Sequence, residues 1–130
     1  MRHQTKKHTL GKAQDQRKAL LRSLATELFT HGEIKTTMAR AKALQPYAEN
    51  VITMAKKGDL NSRRLAGKYI YDKEIGQLID TTTGEVFDAP QEGKKLAKQT
   101  VLRKLFSVIG VKYSSRQGGY TRIFRLPPRR

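Results

Sequence analysis

Past Glu92 the chain has no acidic residue, yet 11 lysines and arginines follow. No other feature limits the fold as much. Like charges at this density repel one another on compaction, and soluble surfaces ordinarily intersperse both signs. This part of the chain must therefore fold with its cations outward and facing an anion. The first 71 residues repeat the bias more weakly, with 15 Lys/Arg against five acids. Six of the 11 acids (Asp72, Glu74, Asp80, Glu85, Asp88, Glu92) are crowded between 72 and 92. The sum is a formal charge of +16 on 130 residues, the length of one domain. Two basic segments flank one acidic patch, so both ends are expected to face a polyanion and 72–92 to face water or another protein.

Hydrophobic residues are 37% of the chain and aromatics 7%. That supports a modest core, with some of the chain ordering only when bound. Cysteine is absent, which excludes disulfides and thiolate metal sites and fits a reducing compartment. No apolar run reaches the ~18–20 residues of a membrane span, and no signal-peptide apolar segment follows Met1. No repeat of 20–50 residues is apparent.

Residues 1–12 have no apolar period and read as an extended basic arm that cannot bury itself. Its Arg2, Lys6, Lys7 and Lys12 would neutralise phosphates, with His3 and His8 as extra phosphate or base contacts. Neither histidine has a carboxylate or cysteine at metal-ligand spacing. Residues 14–30 carry the stripe Leu20, Leu21, Leu24, Ala25 and Leu28 of an amphipathic helix. Arg17, Lys18 and Arg22 fall away from that stripe, and Gly32 is a terminator. Glu33 to Thr37 alternate and are β-branched, which predicts a short strand.

A second helix is expected after the N-cap Thr37, with Ala41, Leu44, Ala48, Val51, Ile52 and Ala55 buried. Pro46 inside it predicts a kink or a break. Lys56-Lys57-Gly58 ends it. A third helix starts near Asp59 or Asn61 and runs to about Ile70, with Leu65, Ala66, Tyr69 and Ile70 inward and Arg63, Arg64 and Lys68 available to phosphate. Ile79 and Val86-Phe87 around Thr-Thr-Gly form a small hairpin in a surface excursion. Lys94 to Ile109 reads as a fourth helix on the i+4 steps Ala97, Val101, Leu105 and Ile109, ended by Gly110, with Lys95, Lys98, Arg103 and Lys104 on its exposed side.

The stretch 114–125 then joins two glycines, Gly118 and Gly119, to an alternation predicting a strand: Tyr120, Arg122 and Phe124 to one side, Thr121, Ile123 and Arg125 to the other. Glycine permits φ > 0 and close backbone approach, and the arginine fork matches phosphate oxygens. Arg116, Gly118, Gly119, Tyr120 and Arg122 are thus candidates for a backbone-close contact with nucleic acid. Tyr120 either stacks on a base or packs in the core, the commoner fate of a tyrosine entering a strand. Lys35 and Arg40 are secondary candidates. An ordinary hairpin with solvated arginines is the plainer alternative.

No glycine-rich nucleotide loop, nucleophile elbow or apolar pocket around a carboxylate is present. The chain is accordingly expected not to be an enzyme, and to use no cofactor, metal, membrane or small-molecule substrate. No DNA-reading signature appears. Arms and scattered arginines suit irregular folded RNA read by shape, with affinity supplied by counterion release. A free-standing RNA/DNA chaperone or compacting protein is the rival reading.

Met1-Arg2-His3, Asp15-Gln16-Arg17-Lys18-Ala19-Leu20-Leu21-Arg22, Ile34-Lys35-Thr36-Thr37 and Arg116-Gln117-Gly118-Gly119-Tyr120-Thr121-Arg122-Ile123 together resemble the L-seventeen family of bacterial-type large-subunit ribosomal proteins. The resemblance covers roughly 1–75 and 101–130. It implies a non-enzymatic protein that binds large-subunit rRNA beside neighbouring ribosomal proteins, near the exit of the peptide tunnel. The fold implied is a small compact α+β domain of about four helices, a small β-sheet and an extended basic N-terminal arm. Residues 76–100 look like an acidic inserted surface segment within this single domain, 1–130. Family members usually continue past a basic Pro-Arg-Arg-like segment into another short strand, which the sequence to Arg130 does not include. The motifs suit a ribosome of plastid stroma or of bacterial cytoplasm.

Overall fold

The computed structural model describes residues 8–129; Arg2, His3, Lys6 and Lys7 lie outside them. Helix α1 is Gln14–His31, α2 is Met38–Lys57 and α3 is Leu60–Tyr69. Strands β1 (Glu74–Asp80), β2 (Val86–Phe87) and β3 (Leu96–Thr100) follow. The last helix, α4, spans 101–112 as an α-helical turn Val101–Lys104, a π-helical turn Leu105–Ile109 and a further turn Gly110–Lys112.

The helix ends obey their local chemistry. Gly32 and Gly58 take left-handed backbone (φ 81° and 69°) after α1 and α2, the conformation that lets a helix stop without steric cost. Thr37, Asp59 and Thr100 cap the N-termini of α2, α3 and α4, each accepting from a backbone N–H three residues on. A second acceptor reaches α4 from a distance, the Asp72 carboxylate on the Leu102 N–H at 3.2 Å. Pro46 does not break α2, which is helical throughout. Lys42 and Pro46 are both exposed, so solvent can take the carbonyl that loses its helical partner.

Helix α2 is the centre of the molecule: α1, α3 and α4 all pack on it. The core joins Ala25 and Phe29 of α1 to Leu44, Ala48, Val51 and Ile52 of α2, with Ile70, Val101 and Leu105 closing it. The burying face of α1 is turned from the one expected. Ala25, Thr26 and Phe29 are fully covered, while Leu20, Leu21, Leu24 and Leu28 are only half-buried. In α2 Ala43 is buried and Ala41 only half-buried, and in α3 Ser62 is buried while Leu65 is exposed. Both shifts follow from covering each helix on more than one flank. Where α4 crosses α2, Gly110 lies inside the helix rather than ending it. A Cβ there would stand 2.7 Å from the Ala55 carbonyl oxygen, so the two backbones approach as only glycine allows.

Four further expectations are corrected. Residues 33–37 form no strand; they link α1 and α2 without a ladder. The helix expected from Lys94 begins only at Val101, because 96–100 pair with β1 as β3. Local propensity there is a weak bias, and strand pairing beside the hairpin outweighs it. The sheet is antiparallel in the order β2-β1-β3. The predicted hairpin is present, with Leu78 opposite Phe87 and Ile79 opposite Val86. It is not wholly a surface feature, since Ile79, Asp80 and Gln99 are buried. Residues 120–125 form no strand and pair with none.

Candidate nucleic-acid interface

The Gly-Gly loop and the segment after it are held on one face of α2. Gln45, Glu49 and Lys56 stand at i, i+4 and i+11, which bring them to the same side of a helix. Gln45 Nε2 donates to the Thr121 carbonyl at 3.3 Å, and Glu49 accepts from the Thr121 N–H (3.2 Å) and hydroxyl (2.9 Å). Lys56 Nζ donates to the Arg116 carbonyl and to the Tyr120 hydroxyl, the latter at 2.8 Å. The Tyr120 hydroxyl in turn donates to the Arg116 carbonyl at 3.0 Å. That Lys56 contact holds the Tyr120 phenol below its ordinary pKa. The ring packs against Tyr113 (centroids 5.5 Å apart) and against the core, so Tyr120 is a packing residue.

This anchoring shapes the loop between. Gly118 and Gly119 both have positive φ (80° and 62°), so their lack of a side chain is required by the backbone itself. A Cβ on Gly118 would meet nothing, and on Gly119 only the Arg116 side chain at 3.8 Å. Their outer side is open. Beyond Thr121 the chain extends away with Phe124 71% exposed, Leu126 exposed, and the Arg122 guanidinium 4.9 Å from the Phe124 ring centroid. An exposed aromatic beside arginines offers both base stacking and phosphate contact.

The basic residues singled out from the sequence divide by their surroundings. His8, Lys12, Lys18, Lys35, Arg40, Arg116 and Arg122 are exposed and Arg17 is half-buried. His8 and Arg17 line one shallow concavity of about 330 Å³ with Gln14, Leu21 and Ala43. The end of the arm is thereby brought against α1. It is not extended throughout, since the Lys12 N–H closes a turn on the Thr9 carbonyl with Leu10 and Gly11 left-handed. Arg22 is different. Its guanidinium donates to the Gly67 and Ile70 carbonyls at 2.9 and 3.0 Å and lies over the Tyr71 ring, tying α1 to the end of α3. Lys104, expected on the exposed side of the last helix, is half-buried and donates to the Thr30 carbonyl at 2.9 Å.

Among the described residues, ion pairs form at His31, Lys73, Lys94 and Lys98. Lys94 and Lys98, of the acid-free stretch expected to face an anion, pair with Glu85 and Glu74 instead, while none of these pairs involves an individually named RNA-contact candidate. The paired acids lie on α1 (Glu27) and in the sheet region (Glu74, Glu85), and among the described residues none pairs with Arg17, Lys18, Arg22 or the arginines of the C-terminal segment. Among the described residues no group of three His, Cys, Asp or Glu could hold a metal ion, and no helix is long and apolar enough to cross a membrane. Gln45, Glu49 and Lys56 were missed because each reads as solvated helix surface; only the i, i+4, i+11 spacing hints that they share a face.

A small helical body with basic residues free of ion pairs among the described residues, and an exposed segment of arginines and a phenylalanine, has the make-up of a protein that meets a polyanion through shape and charge. The sequence profile described as ribosomal protein L17 matches residues 20–130. The large ribosomal subunit protein bL17 of Staphylococcus carnosus is 47% identical over 121 residues, covering 93% of this chain and 86% of that protein. The protein of the same name from Lactiplantibacillus plantarum is 44% identical with the same coverage, and that from Staphylococcus aureus strain Newman 46%. The chain belongs to the ribosomal protein L17 family.

Proposed function

We propose that this protein is a structural, non-catalytic constituent of the large ribosomal subunit that binds and stabilises large-subunit rRNA near the peptide exit tunnel. The observation that carries this reading is the acid-free segment after Gly118, locked to α2 by Gln45, Glu49 and Lys56 and presenting open glycines, Arg122 and exposed Phe124. A protein that merely coated nucleic acid would have no need of that fixed geometry. Arg17, Lys18, Lys35 and Arg40 extend the same uncompensated charge. Bacterial relatives support a bacterial cytoplasmic ribosome as its location, with neighbouring large-subunit proteins as further partners.

Sedimentation of tagged protein through a salt-containing sucrose gradient tests the reading. Co-migration with the large subunit, at salt that strips loosely held basic proteins, is the expected result. Spread over all nucleic acid and release by modest salt would replace it with a free chaperone.

The acidic segment within 76–100 serves as a surface extension facing solvent or a neighbouring protein. Its strand ends stay close without the loop, because the Thr81 N–H donates to the Lys95 carbonyl at 3.0 Å. Replacing 82–94 by Asn-Gly, which favours a two-residue hairpin turn, should leave rRNA affinity unchanged; it removes β2 and the Thr82 groups that donate to buried Asp80, so it should cost roughly 1–3 kcal/mol of stability. Filter binding and thermal melting check this; a large loss of affinity would assign the segment to RNA instead.

A further inference from the structure

Between α1 and the end of α3 lies a pocket of about 320 Å³ lined by Lys18, Arg22, Tyr47, Lys68, Tyr69 and Tyr71. Three aromatic rings and three cations meet there, and no carboxylate lines it. Tyr47 and Tyr69 pack edge to face with centroids 5.4 Å apart, and the Tyr47 hydroxyl donates to the Tyr69 carbonyl at 2.7 Å. Burial pushes the Tyr47 phenol up to about 12, so this wall stays neutral. The Arg22 guanidinium sits 4.3 Å from the Tyr71 ring centroid, and its Nε is buried without a hydrogen-bond partner. Tyr71 keeps 38% of its surface exposed although Arg22 covers one face of the ring. Its backbone is fixed by the Tyr71 N–H donating to Thr26 Oγ1 at 2.8 Å. Lys18 and Lys68 are exposed and form no ion pair among the described residues.

Stability alone explains part of this. Arg22 needs its two carbonyls, and Tyr71 covers it. Stability does not explain an open ring with two unpaired lysines on the same pocket. An apolar protein side chain would gain nothing from three cations. A flat π-face joined to a phosphate matches all of these features: aromatic rings and guanidinium planes accept a stacked base, and lysines accept phosphate oxygens. The volume is at the lower end of ordinary ligand pockets, enough for one nucleotide and not for a duplex.

Building on the rRNA-binding reading, we propose that this pocket receives a single unstacked RNA nucleotide, its base on the Tyr71–Arg22 platform and its phosphates on Lys18 and Lys68. The sequence-predicted contacts on α1 would then act partly through a defined cavity rather than as a diffuse charged face.

The test uses the full chain bound to large-subunit rRNA. Ultraviolet irradiation followed by mass spectrometry should find a nucleotide adduct on Tyr71. Tyr71→Leu should weaken binding on the order of tenfold, with the slope of log affinity against log salt unchanged. Tyr71→Phe should restore it, since stacking needs the ring and not the hydroxyl. The double variant Lys18→Gln/Lys68→Gln should flatten that slope by roughly 1.5 to 2, one contact for each lysine. Thermal melting of each variant separates lost contact from lost fold. Full affinity in Tyr71→Leu, or irradiation that leaves Tyr71 unmodified, overturns the pocket assignment while leaving rRNA binding intact. Failure of the unaltered protein to hold rRNA overturns both readings. Release of the complex by micromolar adenosine monophosphate would assign the pocket to a free nucleotide and overturn the RNA source. Normal binding of Tyr71→Leu to naked rRNA with poor retention in assembled subunits would assign it to a neighbouring protein.

Discussion

Replacing Gly110 by valine should lower the free energy of unfolding by roughly 3 kcal/mol and the Tm by about 10 °C. The first atom added at this position would stand 2.7 Å from the Ala55 carbonyl oxygen and 2.9 Å from its carbon. Both are backbone, so no flexible side chain can move aside. Helix α4 would have to lift from α2, and Val101 and Leu105, both fully buried, would lift with it. Gly110→Ala should show the same sign with a smaller loss, because the ~1 kcal/mol gained in helix propensity is set against the same backbone clash. Gly67 is the control. It too lies in a helix, but a Cβ there meets nothing within 4 Å, so Gly67→Ala should stabilise by up to about 1 kcal/mol. Thermal and urea unfolding of the three variants measure this directly. Equal effects at the two glycines would mean that the α2–α4 approach is looser than described.

Removing residues 1–12 should be the most damaging single change to RNA binding while leaving the fold alone. The arm contributes Arg2, Lys6, Lys7 and Lys12, and among the described residues the packed core begins only at Leu21. If each of the four neutralises a phosphate, the salt slope of binding should fall by about 3. Affinity at low salt should fall steeply with it. The Tm should move little, since none of the described arm residues, 8–12, belongs to the core. Titration of rRNA at four or five salt concentrations gives the slope. A truncated protein with the original slope would show that the arm is solvated and that α1 and the C-terminal segment carry the electrostatics alone.

The two predictions separate what holds the protein together from what it presents. The core joins aliphatic and aromatic residues of all four helices around α2, and small polar groups cap the helix starts. The surface proposed for contact is rich in lysine and arginine that form no ion pair among the described residues, and four acids are engaged elsewhere. Glu27, Glu74 and Glu85 take Lys73, Lys98 and Lys94, and Glu49 is spent on the Thr121 backbone and hydroxyl.

Much of this was legible from residue order alone. Three helices, the cap at Thr37 and the stops at Gly32 and Gly58 follow from period and from the local chemistry of their ends. The hairpin around Thr-Thr-Gly follows from turn chemistry, and the basic, acid-poor surface from counting charges. What needed the tertiary structure were choices made between distant segments. Residues 96–100 became a strand because β1 lay beside them, against a helical period of their own. Gly110, which looks like a terminator, became the contact of two helices. Arg22, which reads as a free cation on a helix face, became a brace between α1 and α3, and so formed one wall of a pocket whose tyrosines lie 25 and more residues away in the chain. Local rules bind neighbours within about one helical turn. Pairing, close approach and pocket walls depend on groups brought together only by burial of the core, and no pattern in the order of residues records them.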